Sequence, residues 1–240
     1  MELEEFSKIF KEELNKIKVS LNETQIEKFY KYMILIQEWN EKINLTAILD
    51  PKEMIVKHFI DSLTVANKIN QGAKIIDVGT GAGFPGIPLK IYDDTLEITL
   101  LDSLNKRVLF LNEVASQLNL NNKIEILHGR AEEIAQNLKY REQYDYAISR
   151  AVAPMNILVE YLVPFTKVNG KVIAMKGSNV EEEINLSKNA FNKLDCSVLE
   201  KEKFILSDDA GERNIVIINK NKTTKSIYPR KAGTPKKNPL

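Results

Sequence analysis

A chain of 240 residues, 43% hydrophobic and 28% charged, suits one large globular domain or one domain with a small extension. Its net charge of +1 names no partner by itself, and its single cysteine, Cys196, excludes an internal disulfide and a cysteine-built zinc site. No apolar run approaches the length of a membrane span, and the acidic start "MELEEFSKIFKEEL" lacks the apolar core of a signal peptide, so a cytoplasmic protein is expected.

Residues 1–70 read as a helical N-terminal extension. Leu3, Phe6, Phe10, Leu14 and Ile17 form one apolar stripe at helical spacing. Asn22 with Gln25 resembles a capping box, and Ile26, Phe29, Tyr30 and Met33 carry a second helix towards Trp39. Asp50, Pro51 and Glu53 open a third helical stretch that runs to about Ile69. Over 71–220 the character changes. The runs "KIIDV", "LEITLL", "KIEIL", "YDYAI" and "KVIAM" alternate with helical patterns, clearest at Leu104, Val108, Leu111, Ala115 and Leu118. Such alternation predicts βαβ units and a parallel, doubly wound α/β sheet. A polar helix is expected around 181–193. The runs "SVLEKEKFIL" and "NIVIIN", joined by the short "SDDAGER", should pair antiparallel. The expectation is a Rossmann-like, mostly parallel sheet of seven strands with an antiparallel last strand. Residues 221–240 form a basic C-terminal tail. From Asn214 to Leu240 no acid occurs, while Lys220, Lys222, Lys225, Arg230, Lys231, Lys236 and Lys237 all lie there. Such a tail suggests an anionic partner such as nucleic acid, or alternatively a solvated polar end.

The stretch "IIDVGTGAGFPGIPL" (Ile75–Leu89) carries the most specific signal. Gly81-x-Gly83-x-x-Gly86 matches the dinucleotide fingerprint, while Asp77-x-Gly79-x-Gly81-x-Gly83 matches the loop that binds S-adenosylmethionine (AdoMet). Both place a tight turn at the carboxyl edge of the first strand, where such sheets bind ligands. Charge separates them. A pyrophosphate needs free N–H groups and no nearby anion, whereas Asp77 would repel it and Pro85 removes a donor. The ammonium and sulfonium of AdoMet favour a carboxylate nearby. Asp102, nineteen residues after Gly83, should sit at the tip of the second strand and accept both ribose hydroxyls, or else cap the helix before Leu104. Ala131 and Glu132 follow the third strand, where they could meet the adenine edge; a first-turn acid favoured by the helix dipole is the plainer reading of Glu132. Arg150 closes the fourth strand and Lys176 the fifth.

The acceptor atom is read by exclusion. "SRAVAP" stands where amine methyltransferases keep an Asn/Asp-Pro-Pro-aromatic turn, and Cys196 lies far from the rim, so a cysteine nucleophile is absent there. His58 and His128 read as core or surface residues, and no general base stands out. Guanine N7, a free lone pair on an aromatic ring, would need orientation rather than deprotonation. Arg150 or Lys176 would bind O6 beside it.

Taken together, "WNEKINLTAI", "KHFIDSL", "DVGTGAGFPGIPL", "SRAVAP" and "RKAGTPKKNPL" make the sequence resemble the bacterial RsmG (GidB) family of small-subunit ribosomal RNA guanine-N7 methyltransferases, over nearly the whole chain. The resemblance implies methylation of guanine 527, in the 530 loop of 16S rRNA, with AdoMet as donor. It implies cofactor contacts at Gly79, Phe84, Ala131, Glu132 and Arg150, and a substrate that is the small subunit or an assembly intermediate. The glycine-loop reading adds Asp77, Gly81, Gly83 and Asp102 as cofactor residues. Arg230, Lys231, Lys236 and Lys237 are expected to bind RNA phosphates, so that removing 230–240 would leave AdoMet binding intact. A monomer is expected. The rival readings are a small-molecule methyltransferase, a non-catalytic AdoMet-binding assembly factor, and a nicotinamide-dependent reductase.

Overall fold

The computed structural model describes residues 1–120, 122–207 and 210–240. The amphipathic stripes become α1 (Leu3–Lys16) and α2 (Glu23–Ile43). The capping box at α2 is complete: Asn22 accepts from the Gln25 backbone and Gln25 returns the bond to Asn22. Asp50 caps α3 (Pro51–Met54), with Pro51 in its first turn. That helix runs on as a π-helix over Ile55–Ile60, then as α4 (Asp61–Leu63) and a 3-10 turn over Ala66–Lys68.

The α/β part follows in strict alternation. It comprises β1 (Lys74–Val78), α5 (Gly86–Tyr92), β2 (Glu97–Asp102), α6 (Asn105–Gln117), β3 (Ile124–His128), α7 (Ala131–Ile134), β4 (Tyr144–Arg150), α8 (Met155–Leu162) and β5 (Thr166–Lys176). The expected polar helix is two short ones, α9 (Val180–Leu186) and α10 (Lys188–Lys193). Ser187 separates them, its hydroxyl donating to the Glu183 carbonyl at 2.6 Å. Then come β6 (Cys196–Leu206), β7 (Gly211–Lys220) and α11 (Thr234–Lys237). The turn expected at "SDDAGER" includes Asp208 and Asp209, which lie outside the described residues.

Seven strands form one sheet in the order β3-β2-β1-β4-β5-β7-β6. β1 to β5 pair in parallel, and β7 runs antiparallel to both β5 and β6. The strand order reverses between β1 and β4. Their carboxyl ends, Val78 and Arg150, flank the crevice where doubly wound sheets take ligands.

Two apolar cores cover the two faces. One joins the N-terminal helices to the sheet: Phe6, Phe10, Phe29, Tyr32 and Phe59 pack with Ile75, Ile98, Leu100 and Ile148. The other holds α8, α10 and the C-terminal segment, with Leu158, Phe191, Tyr228 and Leu240 against Ile76, Ala147 and Val172. Both chain ends are therefore built into the faces of the sheet. No helix among the described residues is long and apolar enough to cross a membrane.

Candidate active site

The four glycines divide by what they face. A Cβ on Gly81 would meet nothing within 4 Å, and its φ of +63° is one that side chains rarely adopt. Gly79, at φ +72°, would bring a Cβ to 2.6 Å from Val152. These two line the crevice. Gly83 and Gly86 face protein instead. A Cβ on Gly83 would stand 2.6 Å from the Tyr32 hydroxyl, and one on Gly86 would stand 2.3 Å from Leu100 and 2.9 Å from Asp77. Gly83 lets α2 approach, where the Tyr32 hydroxyl donates to the Ala82 carbonyl. Gly83 thus serves the packing of α2 on the loop.

Asp77 also differs from expectation. It is 0% exposed, beneath the loop. Its Oδ2 accepts from the Thr80 hydroxyl at 2.6 Å and the Gly86 N–H at 2.8 Å. Burial raises its pKa to about 6 against those two bonds and the Arg150 charge. Asp77 shapes the turn from below and does not reach into the crevice, because the loop closes over it. Its Oδ1 has no partner among the described residues. Asp102 does stand at the tip of β2. It accepts from Gly81 N through Oδ2 and from Leu104 N through Oδ1, both at 2.9 Å. It thus ties the glycine loop to Leu104, the residue just before α6, without capping a free N–H inside the helix.

Arg150 ends β4 as expected, but its guanidinium is already engaged. Nη1 donates to Asp61 Oδ2 at 2.9 Å and to the Lys57 carbonyl at 3.1 Å, and the group lies 4.8 Å over the Phe84 ring. Arg150 thus grips the π-helix while bordering both the cavity at the glycine loop and the one beside Lys176. The widened π turn presents the Lys57 carbonyl to it, a common use of such turns at functional sites. Lys176 is engaged in the same way. Its Nζ donates to the Ala153 carbonyl at 2.7 Å and pairs with Glu183 at 2.6 Å, and Glu183 also accepts from Met155 N. The pair fixes the "SRAVAP" loop, and Lys176 also lines the cavity beside Arg150.

His58, a bland residue in the sequence, stands in the wall. Its ring stacks on Phe84 at 4.6 Å, and Nε2 lies 2.8 Å from the Thr46 hydroxyl. Burial, with the Arg150 charge, lowers its pKa to about 3. Thr46 comes from the loop after α2, Lys57 and His58 from the π-helix and Asp61 from α4; they fall within "WNEKINLTAI" and "KHFIDSL", but their spacing showed no site role. Cys196 pairs with Lys220 at the opposite end of the sheet, and burial pushes its thiol up to about 12.

Three cavities adjoin here, and Val152 borders them all. One of about 510 Å³ runs under the glycine loop between Thr46, Gly81, Phe84 and Asp102. One of about 370 Å³ lies between Gly79, Ala131, Glu132 and Ile157. The third, about 690 Å³, is walled by Lys57, Asp61, Arg150, Lys176 and Arg213. The first two flank Gly79 and Val152, within the size range of small-ligand sites. Glycines open to the first and apolar walls beside Ala131 in the second fit an extended nucleoside ligand carrying an amino acid.

Solved structures share this fold at low sequence identity. A tRNA methyltransferase, TrmK of B. subtilis, superposes with a TM-score of 0.53 at 11% identity, covering 68% of this chain and 66% of that one. TYW2 of M. jannaschii, solved in complex with AdoMet, gives 0.53 at 16% identity over 68% of this chain and 74% of that one. These likenesses establish a Rossmann-like α/β fold with its crevice at the carboxyl ends of β1 and β4. The sequence model of GidB, rRNA small subunit methyltransferase G, matches residues 25–216. The protein named ribosomal RNA small subunit methyltransferase G is 47% identical in Alkaliphilus metalliredigens over 97% of this chain and 98% of that protein. Its namesake in Clostridium botulinum strain 657 is 47% identical over 98% of this chain and 99% of that one. This chain belongs to the GidB family of rRNA small subunit methyltransferases.

Proposed function

We propose that this protein methylates N7 of guanine 527, in the 530 loop of 16S rRNA, as a cytoplasmic monomer acting on the small subunit or an assembly intermediate. One observation carries the choice of atom: the basic and nucleophilic groups around the cleft are already committed. His58 is held neutral with its pKa at about 3, Asp61 binds Arg150, and Cys196 lies at the far end of the sheet. Such a site suits an acceptor that carries a free lone pair and releases no proton. AdoMet supplies the electrophilic methyl group on its sulfonium. Gly79, Gly81 and Asp102 would hold its amino acid and ribose, and Ala131 with Ile157 its adenine. Phe84, pressed by Arg150 and His58, keeps the wall between loop and target cavity rigid. Lys176 holds the Ala153 carbonyl and thereby the loop that faces the incoming base. Catalysis then rests on alignment and exclusion of water.

Methyl-labelled AdoMet offered to undermethylated small subunits, total RNA and a metabolite mixture tests this reading. Label in small-subunit rRNA, with a single-turnover rate that is flat through about pH 6 to 8, is expected. Label in a small molecule, or a rate governed by a base titrating near neutrality, would overturn it.

A further inference from the structure

The basic tail touches the cofactor cleft. Lys236 lines the cavity that also holds Gly79, Ala131, Ile157 and Tyr161. Glu132, read in the sequence as a partner of the adenine edge, is 6% exposed and accepts the Gly233 N–H at 2.9 Å. The chain is pinned just before that point. Arg230 donates through Nη2 to Glu160 Oε2 at 2.6 Å and through Nε to Oε1 at 2.9 Å, while its backbone N–H donates to the same Oε1 at 2.8 Å. Glu160 lies on α8, the helix whose Ile157 lines the cavity, and Glu132 lies on α7, whose Ala131 does so. Arg141 donates to the Tyr228 carbonyl at 2.8 Å, and Gln136 to the Pro229 carbonyl at 2.8 Å.

We propose that the C-terminal segment is part of the AdoMet site: Lys236 forms the outer wall of its adenosine end, and Glu132, holding the Gly233 N–H, is the clasp. The tail is tied to the two helices that shape that end, so the width of the cavity depends on the tail being seated. Lys236 is exposed and lines this cavity, so its ammonium would serve as a donor to the acceptor nitrogens of a purine ring. Lys237, the next residue, is absent from the cavity wall. This reverses the expectation that cofactor binding is indifferent to the tail.

Calorimetry on the full chain tests the assignment without any rRNA, so it is independent of the acceptor. The ligands are S-adenosylhomocysteine and 5′-methylthioadenosine, which lacks the amino acid half. Lys236→Ala, an exposed position that leaves the fold intact, should weaken both by about tenfold, the worth of one charge-assisted hydrogen bond. Glu132→Ala should weaken both as well and expose the chain at 230–240 to limited proteolysis. Lys237→Ala should bind both as the wild type does. The proposal fails if Lys236→Ala binds both ligands normally. It fails if only S-adenosylhomocysteine is weakened, since the wall would then not meet the adenosine. It also fails if Lys237→Ala is as weak as Lys236→Ala, since net charge alone would then account for the loss.

Discussion

The two ends of the chain meet the same crevice from opposite faces of the sheet, and they are fastened by different physics. The N-terminal helices are held by an aromatic cluster. Phe59 sits among Phe6, Phe10, Phe29 and Tyr32, with ring centroids 5.2 to 6.4 Å apart, and all five rings are buried. The C-terminal segment buries Tyr228 and Leu240 in the second core and adds side chains gripping its backbone: Glu132 on Gly233, Arg141 on Tyr228, Gln136 on Pro229, with Arg230 on Glu160 as an ion pair. Apolar contact is continuous and non-directional, so the N-terminal part carries stability for the whole domain. Hydrogen bonds are local and directional, so the tail can be released by one substitution while the core stays folded.

Breaking the aromatic fastening should have the largest effect. Phe59→Ala leaves a cavity at the centre of the cluster and should destabilise the whole protein by about 3–5 kcal/mol, read as a lowered denaturant midpoint. A loss confined to residues 1–70, with the sheet still protected from hydrogen exchange, would show that the N-terminal helices fold apart from it.

The tail offers the contrast. Arg230→Ala strips Glu160, which is 0% exposed, of its cation and should cost about 2–4 kcal/mol locally. The measurement is hydrogen exchange. Rapid exchange is expected in 228–240 with core amides unchanged, whereas a uniform rise across the sheet would contradict local fastening.

A smaller effect separates the two regions by pH. His58, on the N-terminal side, has a folded pKa of about 3, below its unfolded value. The unfolded chain therefore takes up a proton first as pH falls, and stability should drop between about pH 6.5 and about 3 by up to about 1.4 kcal/mol per pH unit from this residue. Asp77 has the opposite sign: its folded pKa of about 6 favours the protonated native state, so its contribution falls as pH rises from about 4 to 6. His58→Gln should flatten the acid limb of the stability profile, and an unchanged limb would mean that the ring does not hold its neutral state.

The smallest effect concerns the exposed cations of the tail. Lys231 and Lys237 have no acidic partner among the described residues. Replacing both with Gln should flatten the salt dependence of subunit binding by roughly one log–log unit for each phosphate left without its cation, or less on single strands. Arg230→Lys, which keeps a cation beside Glu160, should leave that slope unchanged. A slope change in Arg230→Lys alone would mean that the phosphate is met by Arg230 and not by the exposed lysines.

What was legible in the sequence follows the same division between local and distant. The glycine turn after β1, Asp102 at the tip of β2 and Arg150 at the end of β4 come from strand-to-helix patterns a few residues long, and each stands where expected. Their partners do not follow from such patterns. Arg150 meets Asp61 from 89 residues away, and Glu132 meets Gly233 from 101 residues away. Helical spacing at 51–69 showed a helix, yet it cannot show that Ile55–Ile60 is wound as a π-helix, which turns Lys57 and His58 towards β4. A run of prolines and lysines suggested an anion-seeking tail. It did not reveal that a buried carboxylate on α8 awaits the first of those cations.

The proposed transfer to guanine N7 in the 530 loop is the central claim, and nucleoside mapping decides it. Undermethylated small subunits would be treated with the protein and methyl-labelled AdoMet, and the rRNA digested and resolved by mass spectrometry. The label is expected in 7-methylguanosine, within a single fragment that contains guanine 527. Label in an N1- or N2-methylated guanine, in another nucleoside, or in a fragment outside the 530 loop would contradict it.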